Sequence, residues 1–292
     1  MTDLFSLIGN TPLVDLSSLQ DNPDVRIFGK LEGQNPGGSV KDRAAYGMIM
    51  GAKERGELDG GRRIVEATSG NTGIALAMIA ARLKVPISLI MPESATAERV
   101  GTMRAYGAEV ILTPAEKTIE YSRELAQEMA DREGHLQLNQ FANPDNWRAH
   151  YRTTGPEIWR DTQGKVTHFV SSMGTTGTIT GTGRYLHEQS EAVQIVGVQP
   201  TDGSRIPGIR RWSPEFLPKI YDDSVVDRKI DVSQDEAIAT MRRLAAEAGV
   251  FAGMSSGGAT FAALKLAAEL EAGLLVCIIC DRGDRYLSSG IF

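Results

Sequence analysis

The chain has 292 residues, 41% of them hydrophobic, and a formal net charge of −6. That length is enough for a large buried core, built as one big domain or as two lobes. The acidic balance and the lack of any basic tract argue against nucleic acid as a partner.

The start, Met1-Thr2-Asp3-Leu4-Phe5, has neither the basic opening nor the long apolar run of a signal peptide. No apolar stretch is long enough to span a bilayer, so no membrane partner is expected and a cytoplasmic location is. Regular alternation begins at Arg63. Residues 63–68 read as a strand, and 72–83 as an alanine-rich helix that is apolar on one side. A strand at 87–92 and a helix at 97–106 follow, the helix ending at Gly107, a good C-cap residue. Then come a strand at 109–113, a long amphipathic helix at 116–132 stopped by Gly134, and a strand at 136–141. Asn143-Pro144-Asp145-Asn146 interrupts the pattern and is the expected lobe boundary.

Alternation resumes with a strand at 167–171, a helix at 178–188 and a strand at 194–199. Residues 200–226 read as irregular. Helices at 235–248 and 257–271 and a strand at 274–280 complete the chain. Repeated βα units predict an α/β fold, with parallel sheets covered by helices on both faces. The expected division is a small lobe at about 38–145 and a large lobe at about 1–37 plus 146–292, with ligand between them.

Small-residue turns run straight into apolar helices at Gly38-Ser39-Val40-Lys41-Asp42-Arg43, Thr68-Ser69-Gly70-Asn71-Thr72-Gly73, Gly174-Thr175-Thr176-Gly177-Thr178 and Gly253-Met254-Ser255-Ser256-Gly257-Gly258. A helix N-terminus exposes unpaired N–H groups and partial positive charge, so it suits an anion. Ser39 reads as a helix cap, with Asp42 as its capping-box partner. The plain reading of Lys41 is a solvated first-turn lysine. The chemical reading uses the same position, because the dipole there favours the neutral amine that Schiff-base chemistry needs. Thr68 to Gly73 is either a capped βα turn or a carboxylate cradle, and its density of uncharged donors favours the cradle. Gly174 to Thr178 suits a phosphate monoester. It is neither a Walker A loop nor a dinucleotide fingerprint, since neither pattern follows. Ser255 sits in a turn ahead of the helix from Gly257, as a cap or a ligand contact. Arg210-Arg211-Trp212 are either surface charges or an anion-recognising lid.

The two cysteines, Cys277 and Cys280, have C-x-x-C spacing inside an apolar strand pattern. Strand residues three apart face opposite sides, so a shared metal or a redox pair is not expected. The histidines His135, His150, His168 and His187 form no ligand set, and no metal is expected.

Together these segments resemble a known group, the fold-type II pyridoxal phosphate enzymes, and within it the cysteine synthases (O-acetylserine sulfhydrylases). The opening Ile8-Gly9-Asn10-Thr11-Pro12-Leu13, the block Asn35 to Arg43, the asparagine loop, the glycine-threonine loop and Gly257-Gly258 after Ser255 carry the likeness, over almost the whole chain. Arg210-Arg211-Trp212 and the segment Cys280-Asp281-Arg282-Gly283-Asp284-Arg285-Tyr286-Leu287-Ser288 are similar to the bacterial B isozyme type. The resemblance implies a two-lobed three-layer αβα fold with mostly parallel sheets, like the tryptophan synthase β-subunit, and pyridoxal 5′-phosphate as cofactor. It implies that Lys41 holds the cofactor and moves the α-proton, that Asn71 meets the ring hydroxyl, that Gly174, Thr175, Thr176, Gly177 and Thr178 bind the phosphate, and that Ser255 meets the pyridine nitrogen. Thr68, Ser69, Thr72 and Gln140 would hold the substrate carboxylate. Arg210 and Arg211 could draw an anionic sulfur donor. Cys280 is left between a packing residue and a contact to that donor.

The implied reaction is β-replacement on O-acetylserine through an aminoacrylate, giving cysteine with sulfide or S-sulfocysteine with thiosulfate. A homodimer is implied as well. A C-terminal tail found in some relatives is expected to be short or absent. The rival reading within the fold type is a cystathionine β-synthase-like enzyme or a serine/threonine deaminase. The rival from another class is a non-catalytic binding protein. Intact Lys41 argues against the latter.

Overall fold

The computed structural model describes residues 3–68 and 70–292; Met1, Thr2 and Ser69 lie outside the described residues. In chain order the elements are β1 (Leu13–Asp15), β2 (Val25–Leu31), α1 (Lys41–Glu54), β3 (Ile64–Ala67), α2 (Asn71–Leu83), β4 (Ile87–Pro92), α3 (Ala97–Ala105) and β5 (Glu109–Thr113). They continue with α4 (Thr118–Glu133), β6 (Leu136–Gln137), α5 (Pro144–Arg152), α6 (Thr154–Asp161), β7 (His168–Ser172), α7 (Gly177–Gln189) and β8 (Gln194–Pro200). The last are β9 (Arg228–Val232), α8 (Gln234–Ala248), α9 (Met254–Glu269) and β10 (Gly273–Ile279). The chain divides into two compact units, one of Met1–Val40 with Trp147–Phe292 and one of Lys41–Asn146.

The first unit carries a six-stranded sheet in the order β1-β2-β10-β7-β8-β9. Only β1 runs antiparallel, against β2; the other pairs are parallel. Strand alternation sends Val170, Val196, Leu275, Cys277 and Ile279 to one face, packed with Met241, Leu244, Ala263 and Leu266 of α8 and α9. Phe169, Ile195, Val276, Ile278 and Cys280 go to the other, packed with Ile158 of α6 and Ile179 and Leu186 of α7. The two cysteines therefore belong to opposite faces, and both are free thiols. Burial pushes the Cys277 thiol up to about 12, so it stays protonated.

The second unit carries a parallel four-stranded sheet in the order β5-β4-β3-β6. Every residue of β3 and β4 is buried, as expected of central strands covered on both faces. Ala126 of α4 packs with Val65, Ala67 and Ile90 on one face. Each unit layers helices against a parallel or mostly parallel sheet, the αβα arrangement expected from the sequence.

Three expectations need correction. The strand at 136–141 ends at Gln137, because Asn139 takes a left-handed φ of 53° that no strand continues through. The helix expected from Gly257 begins at Met254, so Ser255 lies inside its first turn rather than ahead of it. The segment 143–146, expected to interrupt the pattern, instead opens a helix, with Pro144 starting α5 at a position where a missing N–H costs nothing, while the division between the units falls at Asn146.

α8 and α9 meet through glycine. A Cβ on Gly257 would collide with the Ala237 carbonyl oxygen and lie 2.9 Å from Met241. Gly257→Ala is therefore expected to overpack this contact and cost about 1–3 kcal/mol. Thermal unfolding should show a fall in Tm of roughly 2–12 °C, at about 2–4 °C per kcal/mol for a chain of this size.

Candidate active site

Both sheets reverse strand order, and in open α/β sheets ligands bind beyond the carboxyl ends of the strands where that reversal occurs. In the six-stranded sheet the chain moves outward from β7 to β8 and β9, then returns to place β10 on the other side of β7. The loops after β7 and β10 flank the reversal. They carry Gly174 to Thr178 and Cys280. In the four-stranded sheet the chain moves from β3 to β4 and β5, then returns to place β6 on the other side of β3. The loops after β3 and β6 carry Thr68 to Gly73 and Gln140. Each unit thus puts these loops where its own topology reverses.

In the first unit, Thr176 is the N-cap of α7 and has φ 71° and ψ −5°. A β-branched residue in the left-handed region is a backbone outlier worth about 1–3 kcal/mol of strain. Thr175, Thr176 and Thr178 are buried. A Cβ on Gly174 would collide with the Gly208 carbonyl oxygen, so only glycine allows the loop to pass there. Thr178 Oγ1 lies 3.3 Å from His150 Nε2, and His150 Nδ1 lies 2.9 Å from Thr154 Oγ1. His150 itself is 1% exposed.

α9 is tied to the ends of both flanking strands. Ser172 Oγ, at the end of β7, donates to the Ser255 carbonyl at 2.7 Å. Cys280 N, just past β10, donates to Ser256 Oγ at 2.9 Å. These bonds gather the Gly174 loop, Ser255 and Cys280 at one end of the sheet. The irregular segment joins them. Arg210 N donates to the Met173 carbonyl at 2.9 Å, and Trp212 Nε1 donates to the Gly174 carbonyl at 2.8 Å. The Arg210 guanidinium lies 5.6 Å from the Trp212 ring centre, on an exposed residue. Arg211 is placed differently. Its guanidinium donates to the Pro200 carbonyl and pairs with Asp202 at 3.2 Å and with Asp231.

In the second unit, Lys41 is the first residue of α1 and Asn71 the first residue of α2. Thr68 and Thr72 are buried. Thr72 Oγ1 donates to Gln140 Oε1 at 2.8 Å, which occupies the amide oxygen and leaves the NH2 group as the amide's donor. The Gln140 carbonyl accepts from Asn146 Nδ2 at 2.7 Å. Ser69, expected beside Thr68, lies outside the described residues. Glu66, on β3, was not singled out by the sequence. Its carboxylate accepts from Asn139 N at 2.9 Å and Gln140 N at 3.4 Å. Burial pushes it up to about 7 against the pull of those N–H groups and of Arg123.

The donor set suits an anionic cofactor phosphate. Gly174 to Thr178 offers backbone N–H groups at a helix start and three hydroxyls, with no carboxylate among them. Ser255 offers a neutral hydroxyl, a group suited to a ring nitrogen that is to stay uncharged. Among the described residues no group of His, Cys, Asp and Glu is arranged to hold a metal ion, and no helix is long and apolar enough to cross a membrane.

The pattern of a family described as "Pyridoxal-phosphate dependent enzyme" matches residues 4–281. "Cysteine synthase B" of Pseudomonas aeruginosa is 60% identical over 286 residues, covering 98% of this chain and 95% of the relative. Among solved structures, an O-ureido-L-serine synthase superposes with a TM-score of 0.94 at 37% identity, covering 100% of this chain and 95% of that one. The cysteine synthase of Entamoeba histolytica superposes with a TM-score of 0.94 at 36% identity, covering 100% of this chain and 90% of that one.

Proposed function

The chain belongs to the pyridoxal-phosphate dependent enzymes, in their cysteine synthase group, and we propose that it makes L-cysteine by β-replacement, exchanging the acetate of O-acetyl-L-serine for sulfide. The full-length 60% identity to a cysteine synthase B is the observation that carries this reading. When bound, pyridoxal phosphate supplies an electron sink for the bonding pair of the substrate's Cα–H bond.

The chain's own residues do the rest. Lys41 holds the cofactor through Nζ, then removes the α-proton as a free amine and later returns it. Asn71 meets the ring hydroxyl. Gly174, Thr175, Thr176, Gly177 and Thr178 hold the phosphate. Ser255 leaves the ring nitrogen uncharged, which weakens the sink and favours loss of acetate as the proton leaves. Thr68, Ser69, Thr72 and the NH2 group of Gln140 hold the substrate carboxylate.

The sulfur donor is the finer question. We read thiosulfate as a second donor, giving S-sulfocysteine. Arg210 supports that reading better than Arg211 does, because the Arg211 charge is already met by Asp202 and Asp231 while the Arg210 guanidinium is exposed. Cys280 stands beside α9 as a packing residue or a donor contact. We place the protein in the cytoplasm as a homodimer.

Absorbance tests the reaction. The cofactor band of purified protein should move to longer wavelength on adding O-acetylserine, and either sulfide or thiosulfate should restore it. A band that O-acetylserine does not move would leave the cofactor assignment standing and remove the substrate. Restoration by sulfide alone would remove thiosulfate. The likeness to an O-ureido-L-serine synthase makes the donor the decisive readout, since that enzyme is named for a different product on the same fold.

A further inference from the structure

β3 and β6 pair in parallel at Ile64 with Leu136 and at Val65 with Gln137, and the ladder stops there. Two residues on, Asn139 turns into the left-handed region. The backbone N–H groups of Asn139 and Gln140 then have no strand to donate to. The Glu66 side chain takes them, at 2.9 and 3.4 Å. Glu66 is 3% exposed, so these bonds form away from bulk water, where a charge-assisted bond counts for more. The Gln140 amide is pinned separately, by Thr72 Oγ1 on its oxygen. Gln140 is thus held by Glu66 at its N–H, by Asn146 at its carbonyl and by Thr72 at its side chain, and of these partners Glu66 alone is ionisable.

We propose that Glu66 is a positioning residue for the substrate: as a carboxylate it holds the Asn139–Gln140 backbone so that the Gln140 NH2 group meets the substrate carboxylate, and on protonation it loosens that hold. This rests on the reading of Gln140 as a substrate contact. A protonated Glu66 replaces an acceptor with an O–H donor that faces N–H groups, so one bond is lost. Burial raises the Glu66 carboxyl to about 7, which puts the change in an accessible range. A cavity of about 340 Å³ has Glu66 in its lining. The charged groups that share this cavity, Glu120, Arg123 and Glu124, all come from α4. The neighbouring strands β4 and β6 carry no titratable side chain.

The test is an O-acetylserine titration of the holoenzyme, read by the cofactor band, for wild type and Glu66→Gln. At about pH 8 the variant is expected to need about tenfold more O-acetylserine for the half-maximal shift, the effect of one weakened charge-assisted hydrogen bond. Its cofactor band before substrate should match wild type. At about pH 6 the two titrations should converge, because wild type has then lost the same charge. On a Gln140→Ala background the effect of Glu66→Gln should vanish, as a double-mutant cycle requires of coupled residues. Glu66→Asp keeps the charge and should keep the pH dependence.

Equal titrations at both pH values, or an undiminished effect without Gln140, would overturn the positioning role while leaving the function standing. A wild type that O-acetylserine does not shift would overturn the function and this role together. Failure of both Glu66 variants to fold would make Glu66 a structural residue and overturn the assignment.

Discussion

Lys41→Ala is expected to lower the rate of cysteine formation from O-acetylserine and sulfide by at least about a thousandfold, because in the proposed reaction one amine supplies both cofactor attachment and proton transfer, and proton transfer alone is worth roughly 10²–10⁴. The fold should survive. The turn leading to Lys41 is held by contacts the lysine side chain does not make. Val40 N donates to the Cys280 carbonyl at 2.8 Å, Arg285 donates to the Gly37 carbonyl, and Ser39 bridges to Asp281. Gly38, at φ 81°, supplies the left-handed step that admits this path. The check is steady-state kcat beside a far-UV spectrum and a melting curve. An unchanged melt with lost turnover is the predicted pair. Turnover within about tenfold of wild type would remove Lys41 from the chemistry.

The largest expected loss of stability comes from a lysine that does no chemistry. Lys30, on β2, is 0% exposed. Its Nζ pairs with Glu157 at 2.8 Å, lies 3.7 Å from Asp161, and donates to the Thr11 carbonyl at 2.5 Å. The Thr11 hydroxyl in turn donates to Glu32 at 2.6 Å, and Glu32 accepts from Asn35 Nδ2 at 2.9 Å. Removing one partner of a buried pair strands the other charge, at about 3–5 kcal/mol. Lys30→Met should therefore lower Tm by roughly 6–20 °C. Adding Glu157→Gln should recover part of that loss, since the second change removes the stranded carboxylate. An exposed pair is the control. Arg228–Glu269, at 2.7 Å on the surface, should be worth about 1 kcal/mol or less. If Lys30→Met costs no more than the surface pair, the buried network is not structural.

Lys30 also explains why its strand escaped the sequence. Val25–Leu31 reads VRIFGKL, and Arg26 and Lys30 break the apolar run that marks a strand buried on both faces. The Lys30 partners, Glu157 and Asp161, are far along the chain, so nothing local shows the charge to be paired. β9, RKIDV at the sheet edge, hides for the same reason. α5 and α6 hide behind Pro144, Gly155 and Pro156, which read as loop. Gly155 is there because a Cβ would press into the Tyr185 side chain, 2.7 Å from its Cβ and 2.9 Å from its ring.

What was legible is the central pattern, where β3, β4 and α2 are short, apolar and punctuated by small residues. The site was legible to the same depth. Turns that open helices show themselves locally, so Lys41, Thr68, Asn71, Gly174 to Thr178 and Ser255 stand out. Residues that act across the fold do not. Glu66 meets Asn139 from 73 positions away, and His150 meets Thr178 from 28. An isolated glutamate on a strand or histidine on a helix carries no local mark of such a partner.

The most direct test of the account is where the cofactor attaches. Holoenzyme reduced with borohydride, digested and sequenced by mass spectrometry should carry the reduced cofactor on the peptide containing Lys41. The cofactor on any other lysine, or on none, would contradict the assignment from which the rest of the chemistry follows.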